Sequence, residues 1–246
     1  MMQTVKSPTT VNPENSIAVM KRYELKYVLT KEQTDFLKEG LKGHMQEDCY
    51  GLTSIASLYY DTPDRRLIRE SLEKPDFKEK IRLRSYGQAS TNSPVFLELK
   101  RKAYGIVYKR RVQSTVSLAE RFFDGLGNIG FDGQIQREIK NFIGYYNNLV
   151  PSCIIIYDRT AYFESGGDLR LTIDENPRYR TDDLDLTSSL DGIPLLSDGG
   201  SILEIKVQDA IPLWLSAVLS KGKIYKNSFS KYGEAYRRQM LAAANQ

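Results

Sequence analysis

A β-strand places residues i, i+2 and i+4 on one face, and segment after segment of this chain uses that period to gather cations opposite apolar side chains. In Phe77–Tyr86, Lys78, Lys80, Arg82 and Arg84 share one face, and Phe77, Ile81 and Leu83 share the other. In Val95–Lys102, Glu98, Lys100 and Lys102 oppose Val95, Leu97 and Leu99; in the next segment Lys109 and Arg111 share a face with Val107. Glu24 and Lys26 oppose Leu25 and Tyr27, Arg170 and Thr172 share a face that Asp174 continues, Glu204 and Lys206 oppose Leu203 and Ile205, and Arg159 lies in the middle of another strand.

A half-solvated antiparallel sheet also alternates, but its polar face ordinarily mixes Thr, Ser, Gln and charges of both signs. Here cations dominate, with a Glu recurring two residues before a Lys. Like charges side by side on one sheet repel unless an anion sits among them. A polyanion such as triphosphate meets that need: Arg offers phosphate a fork of donors and Lys a compact charge. Closing the sheet into a barrel would aim the cations into one lumen. A hard oxygen donor such as Glu204, with Glu24 or Glu98, would then hold Mg²⁺ or Mn²⁺ bridging the phosphates. Phosphoryl transfer asks mainly for positioning and charge stabilisation.

The remaining segments fit one α+β domain. Strands are predicted at Arg22–Leu29, Ser54–Tyr60, Phe77–Tyr86, Pro94–Lys102, Ile106–Gln113, Cys153–Phe163, Leu169–Asp174 and Ser201–Gln208. None is a long apolar run of the kind buried parallel sheets use, so the sheet should be antiparallel. Thr30 and Gln33 form a capping box opening a helix to about Lys42. Further helices are predicted near Asp64–Glu73, Ser117–Asp124 and Asp132–Asn148, from Pro212, and from Ser230 onward. Residues 1–20 read as a disordered polar leader, and 21–246 as a single domain. Of 246 residues, 41% are hydrophobic, enough for a sizeable core, and the net charge of +4 is too small to argue for nucleic acid, which is not an expected partner. No segment has the apolar length to cross a bilayer.

Cys49 and Cys153 make no metal-ligand pattern and read as free thiols, which suits a cytoplasmic protein. A single histidine, His44, leaves little from which to build a zinc site or a Ser-His-Asp triad. Tyr59 and Tyr60 suit packing between strand and helix better than stacking on a base, and Trp214 suits a core anchor. No Gly-rich loop leads into Lys-Ser or Lys-Thr.

Glu24-Leu-Lys26, Leu58-Tyr-Tyr-Asp-Thr62, Ile81-Arg-Leu-Arg84, Leu97-Glu-Leu-Lys100, Tyr108-Lys-Arg-Arg111, Asp158-Arg-Thr-Ala161, Leu169-Arg-Leu-Thr-Ile-Asp174, Leu203-Glu-Ile-Lys206 and Phe229-Ser-Lys-Tyr232, taken in order, resemble the vacuolar transporter chaperone (VTC) domain. That domain belongs to the triphosphate tunnel metalloenzymes, relatives of the CYTH proteins. The resemblance runs from about Lys21 to Met240. It implies an eight-stranded antiparallel barrel, a triphosphate tunnel, with flanking helices. It also implies a polyphosphate polymerase that moves the terminal phosphate of a nucleoside triphosphate, ATP or a similar nucleotide, onto a growing polyphosphate chain. By motif, Lys26, Arg82, Arg84, Lys100, Lys109, Arg159 and Arg170 would bind phosphate, with Arg111 a weaker candidate. Arg82, Arg84, Lys100 and Glu204 would carry catalysis, and Glu204 would hold the metal. Ser230 and Lys231 would contact the phosphate chain, and the exiting polymer would pass Lys109 and Lys231.

Two departures stand out. The family pattern often has a Lys two residues before that serine, where this chain has Ser228; Lys226 substitutes only if its loop bends inward. The first strand keeps only Glu24 and Lys26 of the superfamily's Glu-x-Glu-x-Lys, which favours the polymerase branch over hydrolases. A triphosphatase and a non-catalytic module binding polyphosphate or inositol phosphates stay as rivals. Family members are often coupled to membrane segments; none lies in this chain, so a separate membrane protein is the partner the resemblance leaves room for.

Overall fold

The computed structural model describes residues 23–104, 106–129, 133–197 and 199–244. The expected leader lies outside the described residues. Ten strands form one antiparallel sheet: β1 (Tyr23–Leu29), β2 (Gln46–Glu47), β3 (Thr53–Asp61), β4 (Phe77–Tyr86), β5 (Pro94–Ala103), β6 (Ile106–Thr115), β7 (Val150–Phe163), β8 (Arg170–Arg180), β9 (Ile193–Pro194) and β10 (Ser201–Val207). Eight follow one path, β1-β10-β8-β7-β3-β4-β5-β6, while the two-residue β2 and β9 hang on β7 and β8. The helices are α1 (Lys31–Leu41), α2 (Arg66–Leu72), α3 (Val116–Phe123), α4 (Gln134–Tyr146), α5 (Leu213–Lys221) and α6 (Lys231–Ala244).

The α+β class and antiparallel pairing match the expectation; closure does not. The hydrogen-bonded path ends at β1 on one side and β6 on the other, so the sheet is curled but not a barrel. The free edge of β1 has another occupant. Tyr27 bridges to Lys226, and Asn227 donates its backbone N–H to the Lys26 carbonyl at 2.8 Å. The segment leading into α6 thus takes the position that β6 would need for closure. It also holds Lys226 in an edge pairing, exposed to solvent.

The apolar faces look outward. Ile81, Leu83, Leu97 and Leu99 pack under α3 and α4 with Ala119, Phe122, Ile139 and Phe142. Leu171, Ile173, Leu203 and Ile205 pack under α1 and α5 with Leu37, Leu41, Leu215 and Leu219. Helices cover the convex side, so the alternation turns the charged faces inward. Part of the concave side is apolar, where α6 lays Tyr232 and Ala235 against Tyr59, Ile155 and Tyr157.

Local signals account for most boundaries. The Thr30–Gln33 capping box is present, and the Gln33 side chain also donates to the carbonyls of Gly222 and Lys223, tying α1 to the end of α5. Asp61, fully buried, accepts from the backbone N–H groups of Leu67 and Ile68 and from the Tyr232 hydroxyl at 2.7 Å, so it starts α2 and anchors α6 together. β8 runs six residues beyond its predicted end at Asp174. It passes Asn176 in a left-handed conformation at φ 48 and then Pro177, two breaker signals that tertiary pairing with β7 overrides. His44 stacks on Trp214 at 4.2 Å, Tyr60 on Phe123 at 3.6 Å, and both cysteines are free.

Candidate anion-binding cleft

The curl of the sheet brings β1 opposite β5. Glu24 and Lys100 approach to 3.7 Å, and a cleft of about 380 Å³ lies between the inward faces. Lys26, Arg82, Arg84, Lys100, Lys109, Arg159, Ser230 and Lys231 line it with Glu24, Glu98 and Glu204. Arg111 and Arg170 stand outside that lining: Arg111 lies 3.7 Å over the Phe96 ring, and Arg170, exposed, lies 5.2 Å over Phe163.

Four carboxylates, Glu98, Asp174, Glu204 and Glu24, organise these cations. Glu98, on β5, is buried. Arg82 donates to it at 2.9 Å through Nε, Lys109 stands at 3.0 Å, Arg84 at 3.4 Å and Arg111 at 3.5 Å. Burial would raise its pKa, but Arg82 and Lys109 outweigh burial and hold it below the usual carboxylate range. Arg82 is fixed further by the Tyr59 hydroxyl at 2.8 Å. Asp174, on β8, accepts both arms of the Arg159 fork at 2.6 and 2.9 Å and pairs with Lys231. Burial is again overcome, here by Lys231 and Arg159, and the carboxyl is held low.

Glu204, on β10, meets Lys206 at 2.7 Å and Lys26 at 3.4 Å. Lys26 also reaches Glu24 at 3.0 Å, so one ammonium bridges two carboxylates on neighbouring strands. Burial pushes the Glu204 pKa up, while Lys206 and Lys26 bring it far below its ordinary value. Glu24 feels burial and the Glu204 charge, both raising it, and is still held low by Lys26 and Lys100. Among the described residues no three acidic, His or Cys side chains gather to form a metal cage. Glu24 and Glu204, on neighbouring strands and bridged by Lys26, are the carboxylates of the cleft that could offer oxygen ligands to a hard cation.

Sequence parity put Lys80 on the Arg82–Arg84 face without giving it a role. It lies in the cleft with no carboxylate partner among the described residues, 3.3 Å from the Ser230 hydroxyl and over the Tyr232 ring. Burial, then Lys78, Lys26, Lys100 and Arg82, push its ammonium pKa down to about 7. The parity signal was sufficient to find it. Asp174 and Lys206 were on the right face too, whereas Tyr59 and Tyr232 enter the cleft through packing that no local pattern showed. Arg84, almost fully buried, has an Nε–H with no acceptor. A buried donor lacking a partner inside a cationic cleft is a site prepared for an anion.

The fold is shared with solved proteins of low identity. A putative adenylate cyclase from Bacillus halodurans superposes with a TM-score of 0.55 at 13% identity, over 86% of this chain and 96% of that one. A putative adenylate cyclase from Vibrio parahaemolyticus gives 0.50 at 13% identity, over 88% and 98%. A search of curated proteins found no match. The family model of the VTC domain matches residues 21–240, and by that match, over nearly the whole chain, the protein belongs to the VTC domain family.

Proposed function

We propose that this protein is a metal-dependent polyphosphate polymerase, transferring the terminal phosphate of a nucleoside triphosphate such as ATP to a growing polyphosphate chain. VTC family membership and the cleft together support a triphosphate-handling function. The observation that carries the reading is the charge of the cleft: nine Lys or Arg side chains line it against three glutamates. Such an excess is stable when a polyanion neutralises it.

In this reading Arg82 and Arg84 grip the triphosphate, pre-oriented by Glu98 and, for Arg82, by Tyr59. Lys26, Lys100 and Arg159 neutralise its oxygens from the facing strands, while Lys109, Ser230 and Lys231 contact the phosphate chain. Glu204 and Glu24 would hold the Mg²⁺ or Mn²⁺. Once bound, the metal supplies Lewis-acid polarisation of the phosphoryl group and screening of charge between oxygens. Lys26 and Lys206, which pair with those carboxylates, lie in the same cleft and would offer their ammonium groups to phosphate oxygens. Fixed cations around the transferring group need no reorganisation as charge shifts from the attacking to the leaving oxygen.

Incubation of the purified protein with ATP and Mn²⁺, with products resolved on a gel, tests this. Long polyphosphate is the expected product. Free phosphate alone would make the protein a triphosphatase, and tight retention of ATP without product would make it a binding module. Glu204→Ala should abolish the polymer; full turnover in that variant would remove Glu204 from the metal site.

A further inference from the structure

Beyond the triphosphate grip, β4 and β5 continue as a ladder of lysines. Lys80 sits directly opposite Lys100, and one row further toward the β5–β6 hairpin Lys78 sits directly opposite Lys102. All four side chains share the face of Arg82 and Glu98. The contrast with the neighbouring row is chemical: Arg82 faces Glu98 and is neutralised by it, whereas Lys78 faces another cation. Among the described residues no carboxylate pairs with Lys74, Lys78, Lys80 or Lys102; the one polar contact of Lys78 is to the Ser71 carbonyl at 3.4 Å. Burial, followed by Lys102, Lys100 and Lys74, lowers the Lys78 pKa, so these ammonium groups feel one another. Like charges held opposite one another on a sheet are destabilising.

Resting on the polymerase reading, we infer that the Lys78–Lys102 row, with Lys74 beside it, is a second anion subsite that holds a linear polyphosphate longer than triphosphate as it leaves the cleft. Two residues along a strand span about 7 Å. An anion centred on Arg82 and Arg84 therefore reaches Lys78 and Lys102 only if the chain extends past the Lys80–Lys100 row. The path ends in solvent, since Phe77, Tyr104 and Ile106 at the hairpin end are exposed. The polymer accordingly leaves along β4 and β5, in addition to the contacts that Lys109 and Lys231 offer inside the cleft.

The test compares affinities of inorganic triphosphate and of a long-chain polyphosphate by calorimetry at one fixed ionic strength. For the wild-type protein the long chain should bind about tenfold tighter per molecule. The double variant Lys78→Gln/Lys102→Gln should lose most of that advantage while its triphosphate affinity changes less than about twofold. Lys78→Arg/Lys102→Arg, which keeps the charges, should retain the advantage. An undiminished chain-length advantage in the Gln variant, or an equal loss for triphosphate, overturns the second subsite and leaves the triphosphate grip standing. Failure of the wild-type protein to bind triphosphate at all overturns both.

Discussion

Leu97-Glu-Leu-Lys100 and Leu203-Glu-Ile-Lys206 are nearly the same sentence in sequence, and the fold gives their glutamates different work. Glu98 has a side chain 2% exposed and sits among four cations from two strands. Glu204 is 15% exposed, meets two lysines, and lies beside a second carboxylate, Glu24. Their strands, β5 and β10, each lie next to an end of the sheet path. Around β5, β4 and β6 deliver arginines and lysine to Glu98 from both sides, whereas β1, beside β10, brings Glu204 both Lys26 and the second carboxylate, Glu24. Motif alone assigns both a ligand's role. Surroundings make Glu98 a counter-ion that orients the arginines, and they leave Glu204 beside Glu24 as the pair proposed above to hold the metal.

The largest effect expected from this contrast is on stability. Glu98→Ala would strand Arg82 and Arg84, 24% and 8% exposed, beside each other without their carboxylate. Unfolding by denaturant should show a loss of about 3 kcal/mol. Glu204→Ala, whose lysines are 31% and 39% exposed, should lose less than about 1 kcal/mol. Equal losses would erase the distinction.

Next in size is the metal dependence. Glu204→Gln should require about tenfold or more Mn²⁺ for half-maximal turnover, with Glu24→Gln shifted in the same direction. Glu98→Gln should leave the Mn²⁺ requirement within about twofold and weaken ATP binding instead, because the arginines lose their orientation. A Glu98→Gln protein that needs far more metal would return Glu98 to the ligand set.

Side-chain period made the inward cations, the antiparallel sheet and most element boundaries legible, because burial on one face of a strand leaves a local trace. Three things had no such trace. Closure of the barrel depends on which segment wins the free edge of β1, and residues 226–227 win it through backbone pairing to which their side chains give no clue. Counter-ion assignment depends on register: Glu98 faces Arg82 on β4 and Arg111 on β6 only because of the pairing that the hairpin fixes. The Asp61–Tyr232 contact joins residues 171 positions apart, so two residues of the motifs that carry the family resemblance hold α2 and α6 in place, which neither motif shows by itself.

The smallest effect sharpens the contrast from the side of the cations, since Lys80 is the cleft lysine that, among the described residues, pairs with no carboxylate. Its neighbours on β4, β1 and β5 are Lys78, Arg82, Lys26 and Lys100, and α6 offers only the Ser230 hydroxyl and the Tyr232 ring. A folded pKa of about 7 lies below the ordinary 10.5, so between those values the unfolded chain holds a proton that the folded protein has released. Stability should therefore rise with pH across that window, with the penalty of the buried charge present in full below it. In Lys80→Met the rise should flatten, as measured by denaturation at a series of pH values. Triphosphate supplies the missing counter-charge and restores the proton. Near pH 7 its binding should take up a fraction of one proton, read from the dependence of calorimetric heat on buffer ionisation enthalpy, and Lys80→Met should abolish that uptake. Proton uptake unchanged in Lys80→Met would mean that another group titrates and that Lys80 stays charged in the empty cleft.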